Sequence, residues 1–532
     1  MAVPSPPDLR FADGCAEDVR ETHISWVFLA GERAYKVKKP VVLPFLDYGT
    51  PARRRIMCRA EVALNRRLAP DVYIGVRSLV PAGDGQLRLG DEDDPGAVDY
   101  AVEMRRYCEA DTLRARLAAD TAGPSELAAV GERLAAFHAA AEPWLRPDGA
   151  EAVKRALDDN FATLRTLVTA PEHRASVAQA ERSAGALLTA AWDELNARAA
   201  AGRVRDGHGD LRLEHVLLGG DVEVVDCVEF DPGLRRIDVA ADLAFLVMEL
   251  HETGRADLAR VLVRSYRAAG GDAGSDALIA CFAAYRAEVR AKVALMRAGQ
   301  LTASADAGGE RSHEAALLDL ATRLRWAARA PLVVVVAGLS ASGKSTVAAA
   351  LAGASGFAHL NSDVVRKRMA GLVPTERAPE RVYAGSVTRD TYAELGREAA
   401  ARAADGVIVD ATFRRRADRD AFRARLGEGA NVLFAECRAP AAVLLARARD
   451  RARDAARVSD AGPDVVRLQL VAVESLDEVD ARDHVLLRSD RPVAAILAEL
   501  ADAVDRRAVE TVVLPARIRD NPAVAETDIG RS

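Results

Sequence analysis

The sequence predicts a chain of mixed class in two halves, an α+β part followed by an α/β part. Three observations predict it. Residues 332–337 form an unbroken apolar, β-branched run, the pattern of a parallel strand buried on both faces. That run leads without a gap into a glycine-rich loop at 338–345 and then a helix-forming stretch at 346–352. Near the N-terminus, by contrast, the strand-like runs 23–29 and 33–38 flank a Gly31-Glu32 turn, the signal of an antiparallel hairpin.

Composition bounds the rest. At 532 residues, two or three domains are expected rather than one core. Half the residues are hydrophobic and 29% are charged, with a net charge of only −6, so the chain reads as globular and soluble with no overall attraction to nucleic acid. The cysteines at 15, 58, 108, 227, 281 and 437 form no C-x-x-C pair, which points to reduced thiols. The N-terminal MAVPSPPDLRF lacks a basic region followed by an apolar run, and the longest apolar runs are too short to span a bilayer. A cytoplasmic setting without a membrane partner is the expectation.

From the start of the chain, the hairpin carries Lys36 in its second strand, and 53–68 reads as a helix with Ile56, Ala60, Ala63, Leu64 and Leu68 near one face and Glu61 on it. Further strands are expected at 72–80 and 98–105. A strand lysine followed by a helix glutamate is how a kinase small lobe holds the α- and β-phosphates of a nucleotide. The plainer alternative is a solvated basic cluster of Lys36, Lys38 and Lys39.

Ser125 is the expected N-cap of a helix over 126–141, whose Leu127, Val130, Leu134 and Phe137 form an apolar stripe. His138 on that helix reads as a packed or capping residue. Helices follow at 152–167 and 177–200. Then come Asp206-Gly-His208-Gly-Asp210 and His215, a short loop, and a strand over 222–225 that ends in Asp226. Two acids on a strand–loop–strand are what phosphoryl transfer needs, one carboxylate to accept the hydroxyl proton and one to hold Mg²⁺ against the nucleotide. Asp210 is the candidate base and Asp226 the candidate metal ligand. Two acidic turns beside a hairpin are the bland alternative. Helices at 240–250 and 277–301, a loop or linker at 302–312 and a helix at 315–328 complete this half.

In the second half, Gly338 to Ser345 fits G-x-x-x-x-G-K-S/T after a strand and before a helix. Glycines let such a loop wrap a polyphosphate with its N–H groups inward, and the helix N-terminus adds partial positive charge. The candidate nucleotide-binding residues are Gly338, Ser340, Ala341, Ser342, Gly343, Lys344, Ser345 and Thr346. Lys344 would reach the β- and γ-phosphates and Ser345 would hold Mg²⁺. A strand at 358–360 precedes Ser362 and Asp363, which either cap a helix or, for Asp363, serve as the base at the carboxyl edge of the sheet. The strand 406–410 ends in Asp410, placed to orient Mg²⁺. Beyond a strand at 431–437, a helix over 441–456 sets Arg447 and Arg451 one turn apart. Either they close over the γ-phosphate or they are a solvated basic face.

Two resemblances rest on these residues. Over about 20–300, Ala34-Tyr35-Lys36, Glu61, Phe137-His138, the H-G-D-L at 208–211, Asp226 and Asp242-Leu-Ala resemble the aminoglycoside phosphotransferase-like kinases, relatives of protein kinases. The resemblance implies a bilobal kinase-like fold with an adenine-contacting hinge at 100–106. It implies Lys36 on the phosphates, Glu61 orienting it, Asp210 as base and Asp226 on metal. Where that family usually has Asn five residues after the base, this chain has His215, which makes His215 a candidate metal ligand although Mg²⁺ prefers oxygen. The first hairpin also lacks G-x-G-x-x-G. Over about 331–503, the phosphate loop with S-D-x-x-R at 362–366, D-A-T-F at 410–413, R-x-x-x-R at 447–451 and Ser459-Asp460-Ala461 resembles the small P-loop kinases, including gluconate kinase-like enzymes, polynucleotide 5′-hydroxyl kinases and zeta toxins. That resemblance implies Asp363 as base, Arg366 as a substrate contact, and Arg447 and Arg451 as a lid. The whole chain resembles bacterial fusions of the two.

The expected division is a kinase-like domain at 1–315 (small lobe about 20–105, large lobe about 106–301), a connecting helix at 316–330, a P-loop domain at 331–507 and a tail at 508–532. The expected activity is ATP- and Mg²⁺-dependent phosphorylation of a hydroxyl on a small polar molecule of the sugar or aminocyclitol class, at two nucleotide sites. Two rivals stand beside it. The N-terminal half could be a non-catalytic sensing module, which His215 motivates. The C-terminal half could phosphorylate nucleic-acid 5′ ends, though no aromatic stacking residues interleave with its arginines. The sequence does not give either acceptor or the oligomeric state.

Overall fold

The computed structural model describes residues 5–11, 14–43, 46–146, 148–300, 305–451 and 461–520. The chain forms two compact units, Met1–Gly149 with Glu194–Ser275, and Ala150–Asp193 with Asp276–Ser532.

The first unit is built on an eight-stranded sheet. Its central strands, in spatial order, are Tyr73–Gly83, Asp99–Arg105, Arg33–Lys38 and Ser25–Ala30, each antiparallel to its neighbour. The Gly31-Glu32 turn closes the expected hairpin, with Gly31 at φ 55°. Lys36 therefore lies in an interior strand, paired with Val27 on one side and Val102 on the other. The helix Pro51–Asn65 packs on this sheet, capped by the Thr50 hydroxyl with Pro51 in its first turn.

The face that this helix buries is not the one its apolar spacing predicts. Ile56 is 58% exposed and Ala63 is exposed, whereas Arg54, Cys58, Glu61, Val62 and Asn65 face inward. Ion pairing decides the orientation: Arg54 grips Asp99 at 2.8 Å, and Glu61 meets two lysines of the sheet. Ser125 is likewise not a cap. The helix Pro124–Ala140 starts at Gly123, whose N–H donates to Glu126 Oε2 at 2.8 Å. The expected 222–225 strand is the short pair Val216–Leu217 and Glu223–Val224. The helix Val239–Glu252, buried from Val239 to Leu250, accepts the Leu213 N–H through Glu249 Oε2 at 2.7 Å.

The second unit centres on a parallel sheet. Its order is Ala358–Asn361, Val407–Asp410, Val333–Ala337, Val432–Arg438 and His484–Arg488, the last strand not anticipated from sequence. Alternation along Val333–Ala337 feeds both layers. Val334 and Val336 pack with Leu351 and Leu500, while Val333 and Val335 pack with Tyr392 and Phe422. The helix after the glycine-rich loop begins at Lys344 rather than 346. The cap of the helix Ser362–Met369 is Asn361, not Ser362 or Asp363: its Oδ1 accepts from the N–H groups of Asp363 (2.9 Å) and Val364 (3.2 Å).

Helices Gly149–Leu167, Pro171–Ala190, Asp276–Gln300 and Ala305–Ala327 belong to this unit apart from the first residue. Much of the stretch expected as a linker at 302–312 is helical from Ala305, as the start of the helix Ala305–Ala327 that packs along Asp276–Gln300. Residues 301–304 lie outside the described residues. The terminal helix Val493–Asp520 reaches into the stretch expected as a tail. Among the described residues no helix is long and apolar enough to cross a membrane.

Candidate active sites

In the first unit the side-chain period of two places Lys36 and Lys38 on the same face of their strand. Lys36 Nζ donates to Asp226 Oδ1 at 2.7 Å and pairs with Glu61 Oε1 at 2.8 Å. Lys38, fully buried, donates to Glu61 Oε2 at 2.6 Å, to the Tyr48 hydroxyl at 3.3 Å, and to Glu229. One carboxylate therefore bridges two lysines. Burial opposes charge on both amines, but the surrounding carboxylates outweigh it and hold them well above the ordinary lysine range. Burial likewise raises the Asp226 carboxyl, yet the charges of Lys36 and His215 and the Lys36 hydrogen bond keep it well below the usual carboxylate range.

Asp226 sits at φ 62°, a left-handed conformation rare for a residue with a side chain. Tyr73 and Asn65 fix it there by accepting from the N–H groups of Asp226 (3.2 Å) and Cys227 (2.9 Å). His215 stands between the two acids. Its Nδ1 lies 2.9 Å from the Asp210 carbonyl, which can only accept, so Nδ1 carries a proton and Nε2 is the ring atom that faces Asp226. That Nε2 is 3.8 Å from Asp226 Oδ2, and Nδ1 is 3.7 Å from Asp210 Oδ2. The structure thus brings Lys36, Glu61, Asp210, His215 and Asp226 together.

The loop carrying Asp210 is held from below by Asp242. Its carboxylate accepts from the N–H groups of His208 (2.7 Å) and Gly209 (2.9 Å) and lies 3.2 Å from His138 Nε2. His138 Nδ1 meets the Tyr266 hydroxyl at 2.9 Å, so this histidine is packed into the support and does not face the site. A Cβ on Gly207 would stand 2.4 Å from Asp242 Oδ2, and Gly209 has φ 84°, so the two glycines are required by the close approach and the turn.

In the second unit the glycine-rich loop has the cradle conformation. Gly338 (φ 144°), Ala341 (φ 65°) and Gly343 (φ 87°) turn the backbone inward, and a Cβ on Gly338 would meet the Cys437 carbonyl at 2.6 Å. Ser340 N–H donates to Gln469 Oε1 at 2.8 Å. Lys344 is buried at the start of the helix, with Ser345 and Thr346 in the same turn. Asp410 is fully buried at its strand end. Its Oδ2 accepts from Asn361 Nδ2 at 2.6 Å and its Oδ1 has no partner. Burial raises its carboxyl, but the neighbouring His359 imidazole and Ser345 hydroxyl and the Lys344 charge keep it below the usual range. Arg447 donates to the Ser489 carbonyl at 3.0 Å, and its buried Nη1 has no partner; a Cβ on Gly343 would lie 3.3 Å from it. The Arg451 side chain lies outside the described residues, as do Ser459 and Asp460. Asp363 and Arg366 line a cavity of about 1310 Å³ that opens beside Lys344 and Ser345.

Both sites suit a metal–nucleotide, to different degrees. Around the loop, the orphaned Asp410 Oδ1 and the buried, unpartnered Ser342 hydroxyl are donors without a protein partner. In the first unit the donors are the Asp226 carboxylate and the His215 imidazole. Among the described residues no three His, Cys, Asp or Glu side chains gather as a metal group, so phosphate oxygens and water would complete any shell.

Residues 52–278 match the phosphotransferase enzyme family and residues 333–476 match an AAA domain. The uncharacterized protein Rv2004c of Mycobacterium tuberculosis H37Rv is 32% identical over 407 residues, which cover 74% of this chain and 78% of that protein. The same figures hold for the uncharacterized protein Mb2027c of Mycobacterium bovis. The chain belongs to their family. With its phosphotransferase domain and P-loop kinase domain, this family member is an ATP-dependent kinase. Solved structures similar to parts of it include a gluconokinase from Sinorhizobium meliloti 1021 (23% identity, 34% of this chain and 94% of that one, TM-score 0.26). Another is a thermostable mutant of aminoglycoside phosphotransferase APH(4)-Ia (16% identity, 58% and 96%, TM-score 0.34).

Lys38, Tyr48 and Glu229 were not anticipated as site residues. The spacing of Lys38 from Lys36 was the available signal, since two residues apart on a strand means one face.

Proposed function

We propose that both halves transfer the γ-phosphoryl group of ATP to a hydroxyl of a small polar molecule, of the sugar or aminocyclitol class. The observation that supports this most is the pairing of Lys36 with both Glu61 and Asp226, matched in the other half by Lys344 beside Asp410. In the first site Lys36 binds the phosphates and Glu61 orients it. Asp210 takes the acceptor's proton, and Asp226 with His215 holds Mg²⁺. In the second, the N–H groups of 338–346 and Lys344 cradle the triphosphate, and Ser345 and Asp410 hold Mg²⁺. Asp363 takes the proton, Arg366 contacts the acceptor, and Arg447 and Arg451 cover the γ-phosphate. Bound Mg²⁺ would neutralise charge on the phosphate oxygens. Functionally the division stays at 1–315 and 331–507.

Measuring ATP-dependent phosphorylation in Lys36→Ala, Asp210→Ala, Lys344→Ala and Asp363→Ala against a metabolite extract, read as a gain of one phosphoryl mass, tests the reading. The first pair should abolish one set of products and the second pair another. If no variant changes any product, the two-kinase reading fails. Loss of products only in the second pair would favour a sensing N-terminal half. Transfer to a 5′-hydroxyl oligonucleotide would favour the nucleic-acid alternative.

A further inference from the structure

Lys38 has no part in the transfer assigned to the first site, yet its charge is fully buried beside that of Lys36. Removing an ammonium from water is costly, and this one is answered for each of its three protons: by Glu61, by Glu229 and by the Tyr48 hydroxyl. The two lysines divide Glu61 between them. Lys36 lies 2.8 Å from Oε1 and Lys38 lies 2.6 Å from Oε2.

The contact with Glu229 leads to the segment that carries Asp226. Glu229 follows Asp226 by three residues, and each residue of this stretch is tied to a different part of the unit. The Asp226 N–H donates to the Tyr73 hydroxyl (3.2 Å), the Cys227 N–H to Asn65 Oδ1 (2.9 Å) and the Val228 N–H to the His208 carbonyl (3.1 Å). Glu229 completes the series through its side chain, which accepts from Lys38 and from the Tyr48 hydroxyl at 2.5 Å. Burial raises the Glu229 carboxyl, but the charges of Lys38 and Lys36 and the bonds from Lys38 and Tyr48 outweigh it and hold it below the usual range, so this anchor is ionic. Asp226 at φ 62° is a conformation that its own backbone disfavours, and the four anchors are what over-determine it.

The division of Glu61 has a consequence for Lys36. With Lys38 removed, both oxygens of Glu61 would fall to Lys36 and draw that amine toward the helix Pro51–Asn65, away from Asp226 and from a bound phosphate. With Lys38 present, Lys36 meets one oxygen of Glu61 and one of Asp226, and keeps a proton for the nucleotide.

We propose that Lys38 is a positioning residue of the first nucleotide site: by holding Glu61 and Glu229 together it sets Lys36 and Asp226 in register with each other, although it touches neither nucleotide nor metal. The inference rests on the kinase reading of the N-terminal half and adds the pair Lys38 and Glu229 to the groups on which nucleotide affinity there depends.

The test is binding to the full chain carrying Lys344→Ala, in which the first site alone is titrated. The probe is the β,γ-imido analogue of ATP with saturating Mg²⁺, followed by calorimetry, with thermal melting of each variant measured beside it. Glu229→Gln keeps the side chain's size and leaves Lys36 and Lys38 balanced by Glu61 and Asp226, so it should melt as the parent chain does. Its affinity should nonetheless fall about tenfold, the low end of what losing an outer partner of a metal site costs. Lys38→Met should lose both stability and affinity. Adding Glu229→Gln to it should recover stability but not affinity, because Glu61 still has Lys36 as its one lysine. A counter-ion with a purely structural role would move the two readouts together. Where Lys38→Met fails to fold, Glu229→Gln decides the matter alone. The proposal is overturned if Glu229→Gln binds the analogue as the Lys344→Ala chain does, or if the double variant regains affinity along with stability. Absence of any binding to the Lys344→Ala chain itself would defeat the nucleotide reading of the first site and the proposal with it, whereas unchanged affinity in Glu229→Gln defeats the proposal and leaves that reading standing.

Discussion

Replacing Asp242 by Asn tests whether the loop carrying Asp210 is held in place by a single buried charge. The side chain keeps its size, but one oxygen becomes an NH₂ that faces N–H groups it cannot serve. The carboxylate accepts from His208 and Gly209 at 2.7 and 2.9 Å and meets His138 at 3.2 Å, all of it buried. Hydrogen bonds to a charged group contribute about 1.5–3 kcal/mol, and an orphaned buried donor costs about 1–3 more, so about 3–5 kcal/mol of local stability should disappear. The pH dependence gives a second measure. Burial raises the Asp242 carboxyl, but the hydrogen bond and charge of His138 and the His208 N–H outweigh it and hold it at about 2, against an ordinary 3.8. A depressed folded value means the stabilisation is complete above the unfolded value and is lost as the pH falls from about 4 toward 2. At 1.36 kcal/mol per tenfold in protons, this is worth about 2 kcal/mol. A chain of two units need not unfold in one step, so amide exchange at His208 and Gly209 is the better assay than a global melt. Those two amides should exchange about 10²–10⁴ times faster in Asp242→Asn, and faster in the parent as the pH drops below 4 once intrinsic rates are divided out. Parent-like exchange in the variant would refute the role assigned to this carboxylate.

Three further outcomes follow from the same contacts. Lys38→Met strands Glu61 and Glu229 without their shared partner and should cost about 3–5 kcal/mol by denaturant unfolding, with Lys38→Met/Glu229→Gln recovering part of it; a single variant as stable as the parent would show the network to be inert. Lys344→Ala should reduce calorimetric Mg-ATP stoichiometry from two to one, and retention of two would remove Lys344 from the nucleotide site. Asp505 accepts from Arg329 at 2.8 Å through both oxygens and from Ser183 at 2.7 Å, all buried, so Asp505→Ala should destabilise the second unit by about 3 kcal/mol in melts followed by exchange in helix Pro171–Ala190, and unchanged exchange there would refute the tie.

The fold was legible where the chain's local chemistry and its tertiary partners agree. Val333–Ala337 is apolar on both sides because both sides are covered, and the Gly31-Glu32 turn is written in the residues that make it. It was illegible where ion pairs rather than apolar burial orient an element. Helix Pro51–Asn65 turns Arg54 and Glu61 inward and leaves Ile56 in solvent, since leaving two strand lysines unanswered in the interior costs more than exposing one aliphatic side chain. The membership of Gly149–Leu167 and Pro171–Ala190 is a case of the same kind. Nothing in their periodicity says that they pack with helices more than a hundred residues further along the chain.

The two sites differ in how far a motif can disclose them, and the difference has a physical origin. In the phosphate loop the chemistry lies in consecutive backbone groups, so spacing alone specifies it: the left-handed residues Gly338, Ala341 and Gly343 and the helix at Lys344 are all within one short segment. Asp410 then follows from the adjacent parallel strand, whose register sets Val336 opposite it. In the first unit the functional groups come from four distant segments, and only their pairings identify them. A lysine at 36 is ambiguous until Glu61 and Asp226 are found within 2.8 Å of it, and Lys38 looks like a solvated charge until the same glutamate is found to hold it. His215 is the sharpest instance. In sequence it is a departure at a position where oxygen is usual, whereas in space its Nδ1–H is committed to the Asp210 carbonyl and its Nε2 is left facing Asp226. The imidazole lies between Asp210 and Asp226, a placement that the three-dimensional pairing discloses and the motif alone does not.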